Sequence, residues 1–266
     1  MKYIVSVSGG KDSTAVLLDA LDRIPKEDII PVFMDTKWEP EEVYYYLSYL
    51  EWKLDINIVR LESEGMEALS LRKKMMPNRV MRFCTENLKI RPFHRWLKEN
   101  FVDKNIEYCV LQGIRREESA NRKDTPIYDL KISAISPKFH ILSIYPICDW
   151  TKDEVFKFIE EKGIRKNPLY DKGYTRVGCM PCIFASKWEL LNMEEKYVKR
   201  LRDLEEKMSK LLNKPVNFFP DSMDRHVRQE LLFRPEIEYY TCEKCGATKF
   251  FEEFCANCWE EAKTKK

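Results

Sequence analysis

Short apolar runs alternate with amphipathic segments along the first half of the chain. An apolar run at residues 3–7 leads into a glycine pair, and residues 14–21 then repeat apolar side chains with the spacing of a helix. Further strand patterns follow at residues 28–34, 56–61 and 106–112, and segments of helical character separate them. Strands that alternate with helices predict an α/β fold with a doubly wound, mostly parallel sheet.

Helical patterns are found at residues 40–54, 88–97 and 151–162. The last of these has a capping-box start, because Glu154 stands three residues after Thr151. A charged stretch further along carries a single apolar seam, which predicts a helix packed on the main domain. The seam consists of Tyr197, Leu201, Leu204, Met208 and Leu211.

Three polar clusters come directly after predicted strands, at residues 8–13, 35–36 and 113–122. In a doubly wound sheet, ligands bind outside the carboxyl ends of the strands. The pattern therefore predicts a ligand site at this edge of the sheet.

Composition narrows the class of protein. Of 266 residues, 46 are Lys or Arg and 44 are Asp or Glu, so the formal charge of +2 gives no reason to expect a surface for nucleic acid or anionic membrane. No apolar run approaches the ~18 residues of a membrane span, and the N-terminus lacks the long apolar core of a signal peptide. We therefore expect a cytoplasmic protein, in which nine cysteines indicate metal or redox use.

The first polar cluster has the composition of a phosphate-binding loop. Its two glycines let the backbone approach an anion, and the helix that follows presents free N–H groups and the positive end of its dipole. Two serines add hydroxyl donors, and a lysine adds a charge. A Walker A loop has a different spacing, so the cluster predicts another class of phosphate site. It comprises Ser8, Gly9, Gly10, Lys11, Asp12 and Ser13.

This loop resembles the PP-loop of the N-type ATP pyrophosphatase superfamily, whose fold is described as adenine nucleotide alpha-hydrolase-like. Later elements resemble, in order along residues 1–185, those of the phosphoadenosine phosphosulfate (PAPS) reductase family within it. The resemblance implies an enzyme that binds an adenine nucleotide, either ATP with Mg²⁺ or PAPS or adenylyl sulfate. The matching elements are Asp35-Thr36, Cys84-Thr85 ahead of Lys89-x-x-Pro92, Gly113-x-Arg115-x-x-Glu118-Ser119-x-x-Arg122, Pro146-Ile147-x-x-Trp150, and Asn167-Pro168-Leu169-Tyr170 with Gly178-Cys179-x-x-Cys182.

The resemblance also implies the residues of the nucleotide site. Asp35 and Thr36 would lie near the ribose or adenine, with the phosphates on the loop. Arg115 and Arg122 suit a sulfate or phosphate, because a guanidinium binds oxyanions through two N–H groups, although Arg/Glu runs are also common on solvated helix faces. The implied nucleotide-binding residues are Ser6, Ser8, Gly9, Gly10, Lys11, Asp12, Ser13, Asp35, Thr36, Gly113, Arg115, Glu118 and Ser119. The implied catalytic residues are Lys11, Asp12, Lys89, Arg115 and Arg122.

Cys84, Cys179 and Cys182 form a second group. A single Cys-x-x-Cys is compatible with zinc, redox or iron–sulfur chemistry. Iron–sulfur adenylyl-sulfate reductases resemble this chain here, but they carry a Cys-Cys pair where Cys84 is followed by Thr85. The resemblance implies a [4Fe–4S] cluster held by three thiolates, with one iron open. Zinc, a disulfide or buried thiols are the alternatives.

Four cysteines near the C-terminus have the spacing of a zinc ribbon. Two Cys-x-x-Cys knuckles with nine residues between them favour a tetrahedral Zn–S4 site, and Gly246 supplies a turn after the first knuckle. Such a ribbon serves stability or contact with a protein or nucleic acid, and the glutamates around it oppose nucleic acid. The four are Cys242, Cys245, Cys255 and Cys258. Cys109 and Cys148 lie in apolar surroundings and are predicted to be core cysteines.

The predicted organisation has three parts: a nucleotide-binding domain at residues 1–185, a helical extension at 186–236 and the zinc ribbon at 237–266. The predicted activity is adenine-nucleotide-dependent sulfur transfer, in which an acceptor is adenylated and sulfur is then inserted. Reductases of this family carry a Glu-Cys-Gly-Leu-His segment with a nucleophilic cysteine, and residues 1–266 contain no such segment.

Two alternatives remain at this point. One is a PAPS or adenylyl-sulfate reductase that uses Cys179 or Cys182, and the other is a nucleotide-binding assembly module without catalysis. The expected partner is a sulfur donor such as a cysteine desulfurase or a thioredoxin-like protein. DNA, tRNA or a small molecule is open as the acceptor, and so is a homodimer.

Overall fold

The structure is a computed structural model, and it describes residues 1–219 and 239–264. Within these ranges, six strands form one sheet in the order β3-β2-β1-β4-β6-β5. Neighbouring strands are parallel except at one edge, where β5 pairs antiparallel with β6. The predicted doubly wound, mostly parallel sheet is confirmed. The strands are β1 Lys2–Val7, β2 Ile29–Asp35, β3 Val59–Glu62, β4 Tyr108–Leu111, β5 Tyr128–Ser133 and β6 Ser136–Ile144.

Helices connect the strands and continue after the sheet. The π turns Glu86–Ile90 and Lys98–Val102 flank α5, so that residues 83–102 form one continuous helical segment. Short 3₁₀ turns lie at Lys26–Asp28, Arg116–Glu118 and Ala120–Arg122. The α-helices are α1 Lys11–Arg23, α2 Glu41–Leu54, α3 Met66–Lys73, α4 Phe83–Thr85, α5 Arg91–Leu97, α6 Lys152–Glu161, α7 Pro168–Asp171, α8 Lys187–Leu191 and α9 Glu195–Leu212.

Two features differ from the predicted pattern. The helix expected at residues 88–97 extends over residues 83–102, because π turns prolong it at both ends and their spacing departs from 3.6 residues per turn. The β5–β6 hairpin lies outside the predicted elements. Its outer strand alternates exposed apolar and charged side chains, so its apolar residues do not belong to a core.

The predicted helix boundaries at the end of the main domain are accurate. The Thr151 hydroxyl accepts from the Glu154 N–H at 3.2 Å, and the Glu154 carboxylate accepts from the Thr151 N–H at 2.7 Å. This reciprocal pair is the predicted capping box. In α9 the predicted seam is buried except at its last member, Leu211, which is 47% exposed.

Both faces of the sheet are buried, as expected for parallel strands joined by helical crossovers. Val5 and Phe33 face the larger core, which α1 and α2 cover. Ile4 and Val32 face the opposite way, onto the helical segment at residues 83–102. Apolar side chains on both faces explain why these strands are continuous apolar runs in the sequence.

Cys109 and Cys148 belong to the core, as predicted. Burial raises the pKa of the Cys109 thiol to about 11. Burial is also the main cause of the raised pKa of Cys148, with the nearby Asp149 carboxylate adding to it. Both thiols are therefore held in the neutral form.

A small C-terminal module packs against α2. The Tyr45 hydroxyl donates to the Phe254 carbonyl at 2.7 Å and accepts from the Phe251 N–H at 3.1 Å. Lys263 forms an ion pair with the buried Glu51 at 3.1 Å. The module consists of β7 Tyr240–Thr241, β8 Thr248–Lys249 and α10 Ala256–Lys263. Ring centroids 4.6 to 5.8 Å apart join Tyr45, Tyr49 and Trp52 to Phe250, Phe251 and Phe254.

The predicted domain limits at residues 185 and 236 stay predictions, and the second lies outside the described residues. In residues 1–219 and 239–264, no helix has both the length and the apolar composition that a membrane crossing needs.

Candidate active site

The loop between β1 and α1 forms the first part of the site. Gly9 has a φ of +74°, which favours glycine, and a Cβ there would lie 3.2 Å from Val43 Cγ1. The Ser13 hydroxyl accepts from the Ser8 N–H and donates to the Gly10 carbonyl, both at 3.0 Å. These bonds fix the loop so that the positive end of the α1 dipole lies at the carboxyl edge of the sheet.

Asp12 lies between two buried cations. Its carboxylate accepts from Lys11 Nζ at 2.9 Å and from Arg115 Nε at 2.5 Å, and these two cationic side chains are 7% and 3% exposed. Arg115 also donates to Glu117 at 2.5 Å. Gly113 permits this close approach, since a Cβ there would lie 2.6 Å from the Asp12 carbonyl carbon. The loop after β4 thus brings a guanidinium to the phosphate loop.

The segment that carries the Cys-x-x-Cys pair also touches this loop. The Lys11 N–H donates to the Tyr170 hydroxyl at 2.8 Å. A Cβ at Gly10 would lie 3.7 Å from Val177 Cβ. Because Cys179 follows two residues after Val177, the phosphate loop and the cysteine pair are neighbours in space.

Asp35 and Thr36 follow β2 and make different contacts. Asp35 accepts from the Tyr44 hydroxyl at 2.8 Å and from the Lys37 N–H at 2.7 Å. Burial and this bond raise the pKa of Tyr44, which therefore stays a donor. Thr36 is buried and donates its hydroxyl to Glu39 at 2.8 Å and its N–H at 3.1 Å. The role of Thr36 in this structure is to hold the Glu39 carboxylate.

Glu39, which is 4% exposed, contacts one member of the cysteine group and Lys89. The Cys179 thiol donates to its carboxylate at 3.6 Å, and Lys89 Nζ lies 3.8 Å from it. Burial acts to lower the pKa of Lys89, but the charges of Cys179 and Glu39 outweigh that effect and raise it. Burial raises the pKa of Cys179 to about 11, while Lys89 acts in the opposite direction.

The other two thiols lie near the same lysine. Burial raises the pKa of Cys84, the charge of Cys182 adds to the rise, and that of Lys89 opposes it. Cys182 in turn contributes to the raised pKa of Lys89. Cys179 and Cys182 line one cavity with Lys89, and the charges of Cys182 and Lys89 act on the Cys84 thiol.

Three other arginines lie close enough to Arg122 to affect its pKa. Burial lowers the pKa of Arg122, and the like charges of Arg176, Arg82 and Arg115 lower it further. Arg122 also forms an ion pair with Glu118. Guanidinium groups gathered against their mutual repulsion are typical of an oxyanion site, since a sulfate or phosphate group relieves that repulsion.

A cavity of 180 Å³ adjoins this cationic cluster. Lys89, Arg176, Cys179, Cys182 and Phe184 are among the residues that line it. The cavity is below the ~300 Å³ of a typical small-molecule pocket. It therefore suits a small group, such as a single sulfur or oxyanion, rather than a whole nucleotide.

Family membership follows from a match over most of the chain. The phosphoadenosine phosphosulfate reductase domain matches residues 2–185. The chain belongs to the PAPS reductase family.

Relatives of this family member align with different shares of its chain. A protein of Escherichia phage 186, named as uncharacterized, is 27% identical over 93% of this chain and 86% of its own length. An uncharacterized protein of Methanocaldococcus jannaschii is 32% identical over 72% of this chain, which spans only 44% of that protein. An adenosine 5′-phosphosulfate reductase of Salinibacter ruber is 29% identical over 56% of each chain.

One solved structure supports the fold. The PAPS reductase of Candida auris, in a phosphate complex, has a TM-score of 0.50 at 18% identity, over 67% of this chain and 81% of that one. At this identity the likeness concerns the fold alone.

The other predicted residues of this PAPS reductase family member take more peripheral positions. Ser6 lies within β1, one residue before its end. Glu118 is engaged by Arg122, and Ser119 accepts the Arg122 N–H on its carbonyl at 2.9 Å. None of these contacts assigns a nucleotide role, so those roles stay predictions.

Three residues of the site were not among the predicted ones. Glu39 is one, and its signal was its position three residues after Thr36, in the loop that follows β2. Arg176 stands inside the motif that ends in Cys179, and Arg82 closes the basic stretch before Cys84. Charged residues next to predicted cysteines are therefore the signal to look for.

The four C-terminal cysteines converge as predicted. Their sulfur atoms all lie within 4.8 Å of one another, with Cys242–Cys258 at 3.8 Å and Cys245–Cys255 at 3.5 Å. Sulfurs around a tetrahedral zinc with bonds of about 2.3 Å are ~3.8 Å apart. Hydrogen bonds from the backbone of Cys245 and Lys244 lower the pKa of Cys242, whereas burial raises the pKa of Cys255 and a hydrogen bond with Cys245 raises that of Cys258.

Proposed function

We propose that this member of the PAPS reductase family is an adenine-nucleotide-dependent sulfur-transfer enzyme. The observation that carries the proposal is that the segment with Cys179 and Cys182 contacts the loop at residues 8–13 and lines one cavity with Lys89 and Arg176. A phosphate loop alone suits any nucleotide enzyme, and a thiol group alone suits a metal site. Their combination suits chemistry in which a nucleotide and sulfur react together.

In this proposal the nucleotide phosphates bind the loop. Lys11 and Arg115 neutralise them, and Asp12, which these cations hold in place, is an oxygen ligand of the kind that Mg²⁺ takes. Arg122 and Arg176 would bind the terminal phosphate or sulfate group. Asp35 would accept a hydrogen bond from the ribose or adenine.

The three thiols fit an iron–sulfur cluster. Cys84, Cys179 and Cys182 are the soft ligands that iron prefers, and Lys89 would offset part of the negative charge of a thiolate-bound cluster. When bound, a [4Fe–4S] cluster with three thiolates would supply one iron open to a sulfur ligand. Glu39 lies within reach to accept the Cys179 proton when that thiol ionises.

The proposed reaction has two steps that balance. First, an acceptor oxygen forms a bond to the α-phosphorus of ATP, and pyrophosphate leaves with the electrons of the broken P–O bond. Second, hydrosulfide forms a bond to the acceptor atom that carries the adenylated oxygen, and AMP leaves with that oxygen. Where a cysteine desulfurase is the donor, a thiol reductant releases the hydrosulfide from the desulfurase persulfide and is itself oxidised to a disulfide. Lys11 and the arginines stabilise the charge that develops on the leaving phosphates.

A reductase is the second candidate, and the named relatives favour it. Proteins 26% to 29% identical over about half to two thirds of this chain are named adenosine 5′-phosphosulfate reductases. In that reaction a thiol such as Cys179 attacks the sulfur of the nucleotide, and AMP leaves. A second thiol then releases sulfite and forms a disulfide, which a thioredoxin-like protein reduces. A module that binds nucleotide without turnover is the third candidate.

The zinc ribbon and the location of the protein complete the proposal. A structural Zn²⁺ in the site of four cysteines fits their sulfur spacing. We place the protein in the cytoplasm, where a reduced thiol set of this kind is maintained. The acceptor is proposed as a nucleic acid or a small molecule.

Two measurements test the proposal. After anaerobic purification, metal analysis is expected to find about four iron atoms and one zinc atom per chain, together with acid-labile sulfide. Two reactions are then assayed. In the first, the protein receives ATP, hydrosulfide and one of a panel of DNA, tRNA and small-molecule acceptors, and pyrophosphate release is measured. In the second, it receives PAPS or adenylyl sulfate with thioredoxin, and sulfite release is measured. Sulfite release without pyrophosphate release would establish the reductase instead, and tight nucleotide binding with neither product would establish the binding module.

Matched variants locate the chemistry. Cys179→Ser is expected to lose iron and turnover while it keeps zinc. Cys109→Ser changes a buried thiol of the sheet core and is expected to keep both metals and most of the activity. Equal loss in both variants would contradict the assignment of Cys179.

A further inference from the structure

The edge strand β5 exposes a row of apolar side chains that no described element covers. Tyr128 is 69% exposed, and Leu130 and Ile132 are each 63% exposed. They share one face with the partly buried Leu142 and Ile144 of β6, their cross-strand partners. Exposed apolar residues at every second position of an edge strand are typical of a pairing surface.

The backbone of the same three residues faces outward. The Tyr145 N–H donates to the Ile127 carbonyl at 2.8 Å, so these two residues form a hydrogen-bonded antiparallel pair. Such pairs alternate along the ladder, which makes Asp129 and Lys131 the next residues bonded to β6. The N–H and carbonyl groups of Tyr128, Leu130 and Ile132 therefore point away from the sheet and are placed to bond another strand.

The charge pattern of β5 indicates that the strand pairing with it is β5 of a second copy of this chain. In the sequence Tyr128-Asp129-Leu130-Lys131-Ile132, the residues on either side of Leu130 have opposite charges, and the next residues out are both apolar. If two copies pair antiparallel about a two-fold axis at Leu130, Asp129 of each copy stands opposite Lys131 of the other. Tyr128 then stands opposite Ile132, and Leu130 stands opposite itself.

Neighbouring registers lack this match. Centring the axis on Asp129 places two carboxylates opposite each other, and centring it on Lys131 places two ammonium groups opposite each other. Like charges directly across a strand pair are destabilising, whereas opposite charges and apolar pairs are stabilising. The outward backbone groups also select Leu130, because it would exchange two hydrogen bonds with its own copy.

We propose that the protein forms a two-fold homodimer in which the β5 strands of two copies pair antiparallel about Leu130. The two six-stranded sheets would then form one continuous sheet. A charged residue on an edge strand usually prevents such pairing. Here the alternation of one acid and one base makes the strand complementary to itself. The proposal is independent of the reaction that the active site performs.

Charge reversal tests the pairing. Sedimentation of the full chain is expected to show reversible dimers at about 100 µM, since a small interface of this kind gives modest affinity. Asp129→Lys and Lys131→Glu are each expected to raise the dimer dissociation constant at least about tenfold, because each places two like-charged pairs across the axis. Mixing the two variants restores both opposite pairs and is expected to restore the dimer.

A matched control changes the same kind of charge elsewhere on the hairpin. Lys138→Glu lies on β6, outside the paired strand, and is expected to leave dimerisation unchanged. A chain that is monomeric throughout would overturn the proposal. So would dimers that tolerate both single reversals, or a mixture of the two variants that stays monomeric.

Cross-linking tests the register. In a hydrogen-bonded pair the two Cα atoms are about 5.5 Å apart, which is within the span of a disulfide. Leu130→Cys is therefore expected to form a covalent dimer under mild oxidation beyond that of the unmodified chain. Ile132→Cys, which is equally exposed, places its two copies ~14 Å apart and is expected to form none. The reverse result would exclude the Leu130 axis.

Discussion

Two groups of cysteines in this protein are built in different ways. The four C-terminal sulfurs lie within 4.8 Å of one another and come from two knuckles only nine residues apart. Cys84 and the Cys179–Cys182 pair come from distant segments, and among the described residues they do not form a group as compact as the C-terminal one. The first group has cysteines alone, whereas the second includes the buried Glu39 and the half-buried Lys89.

This difference separates a site suited to a structural metal ion from a site suited to a chemical reaction. Four converging thiols satisfy a tetrahedral ion completely and leave no position for a substrate. Cys179 and Cys182 line a cavity of 180 Å³ together with Lys89 and Arg176, which leaves space and charge for a further group. We therefore expect metal removal to unfold the first region and to inactivate the second.

The largest expected effect is on the C-terminal module. Cys245→Ser, or treatment with a strong chelator, is expected to remove the zinc and unfold residues 239–264, because metal binding supplies about 10 kcal/mol or more to such small modules. Zinc analysis and hydrogen exchange of α10 measure this. Cys148→Ser, in the core, should retain the zinc, and a module that stays protected without metal would contradict the prediction.

The next effect is on turnover. Lys89→Met is expected to lower the rate by about 100-fold, since it removes the cation that stabilises charge among the three thiols, and to leave zinc content unchanged. Steady-state kinetics of whichever reaction the protein performs measures this. Lys98→Met, an exposed position on the same helical segment, is the control, and equal losses in the two variants would show that Lys89 has no specific role.

A smaller effect is expected where the loop after β4 meets the phosphate loop. Gly113→Ala places a methyl group 2.6 Å from the Asp12 backbone, so it is expected to lower stability by about 1–3 kcal/mol and to weaken nucleotide binding. Calorimetry with ATP and thermal unfolding measure both quantities. Gly178→Ala has no atom within 4 Å of the added group, so its thermal unfolding should match that of the unmodified chain.

The smallest expected effect is on the contact between the two regions. Tyr45→Phe removes a hydroxyl that bonds both Phe254 and Phe251, which should cost about 1–3 kcal/mol of module stability. Hydrogen exchange in residues 239–264 measures the loss, and exchange in the main sheet should be unaffected. Tyr128→Phe alters an exposed hydroxyl and serves as the control.

The features that the sequence predicted correctly depend on residues that are close together along the chain. The turn between β1 and α1, the capping box at Thr151 and the two knuckles depend on residues a few positions apart, and each forms as expected. Phosphate binding by the turn stays a prediction. The parallel sheet was predictable because its strands, buried on both faces, are continuous apolar runs.

Contacts between distant segments explain what was missed. The approach of Glu39 to Cys179 and the grouping of Arg82 with Arg176 depend on how loops after different strands meet. No local pattern encodes these distances. The β5–β6 hairpin was not predicted for another reason. The apolar residues of its outer strand face solvent, so their pattern is neither that of a core strand nor that of an amphipathic helix.

The position of α2 has a consequence for regulation. One side of this helix holds the C-terminal module through Tyr45, and the preceding residue, Tyr44, bonds Asp35 at the nucleotide edge. Two binding events that bias the same helix are thermodynamically linked, and the coupling is reciprocal. Zinc loading is therefore expected to change nucleotide affinity by the same factor as nucleotide changes zinc affinity. The metal supply would then set the nucleotide concentration at which the protein is half-saturated.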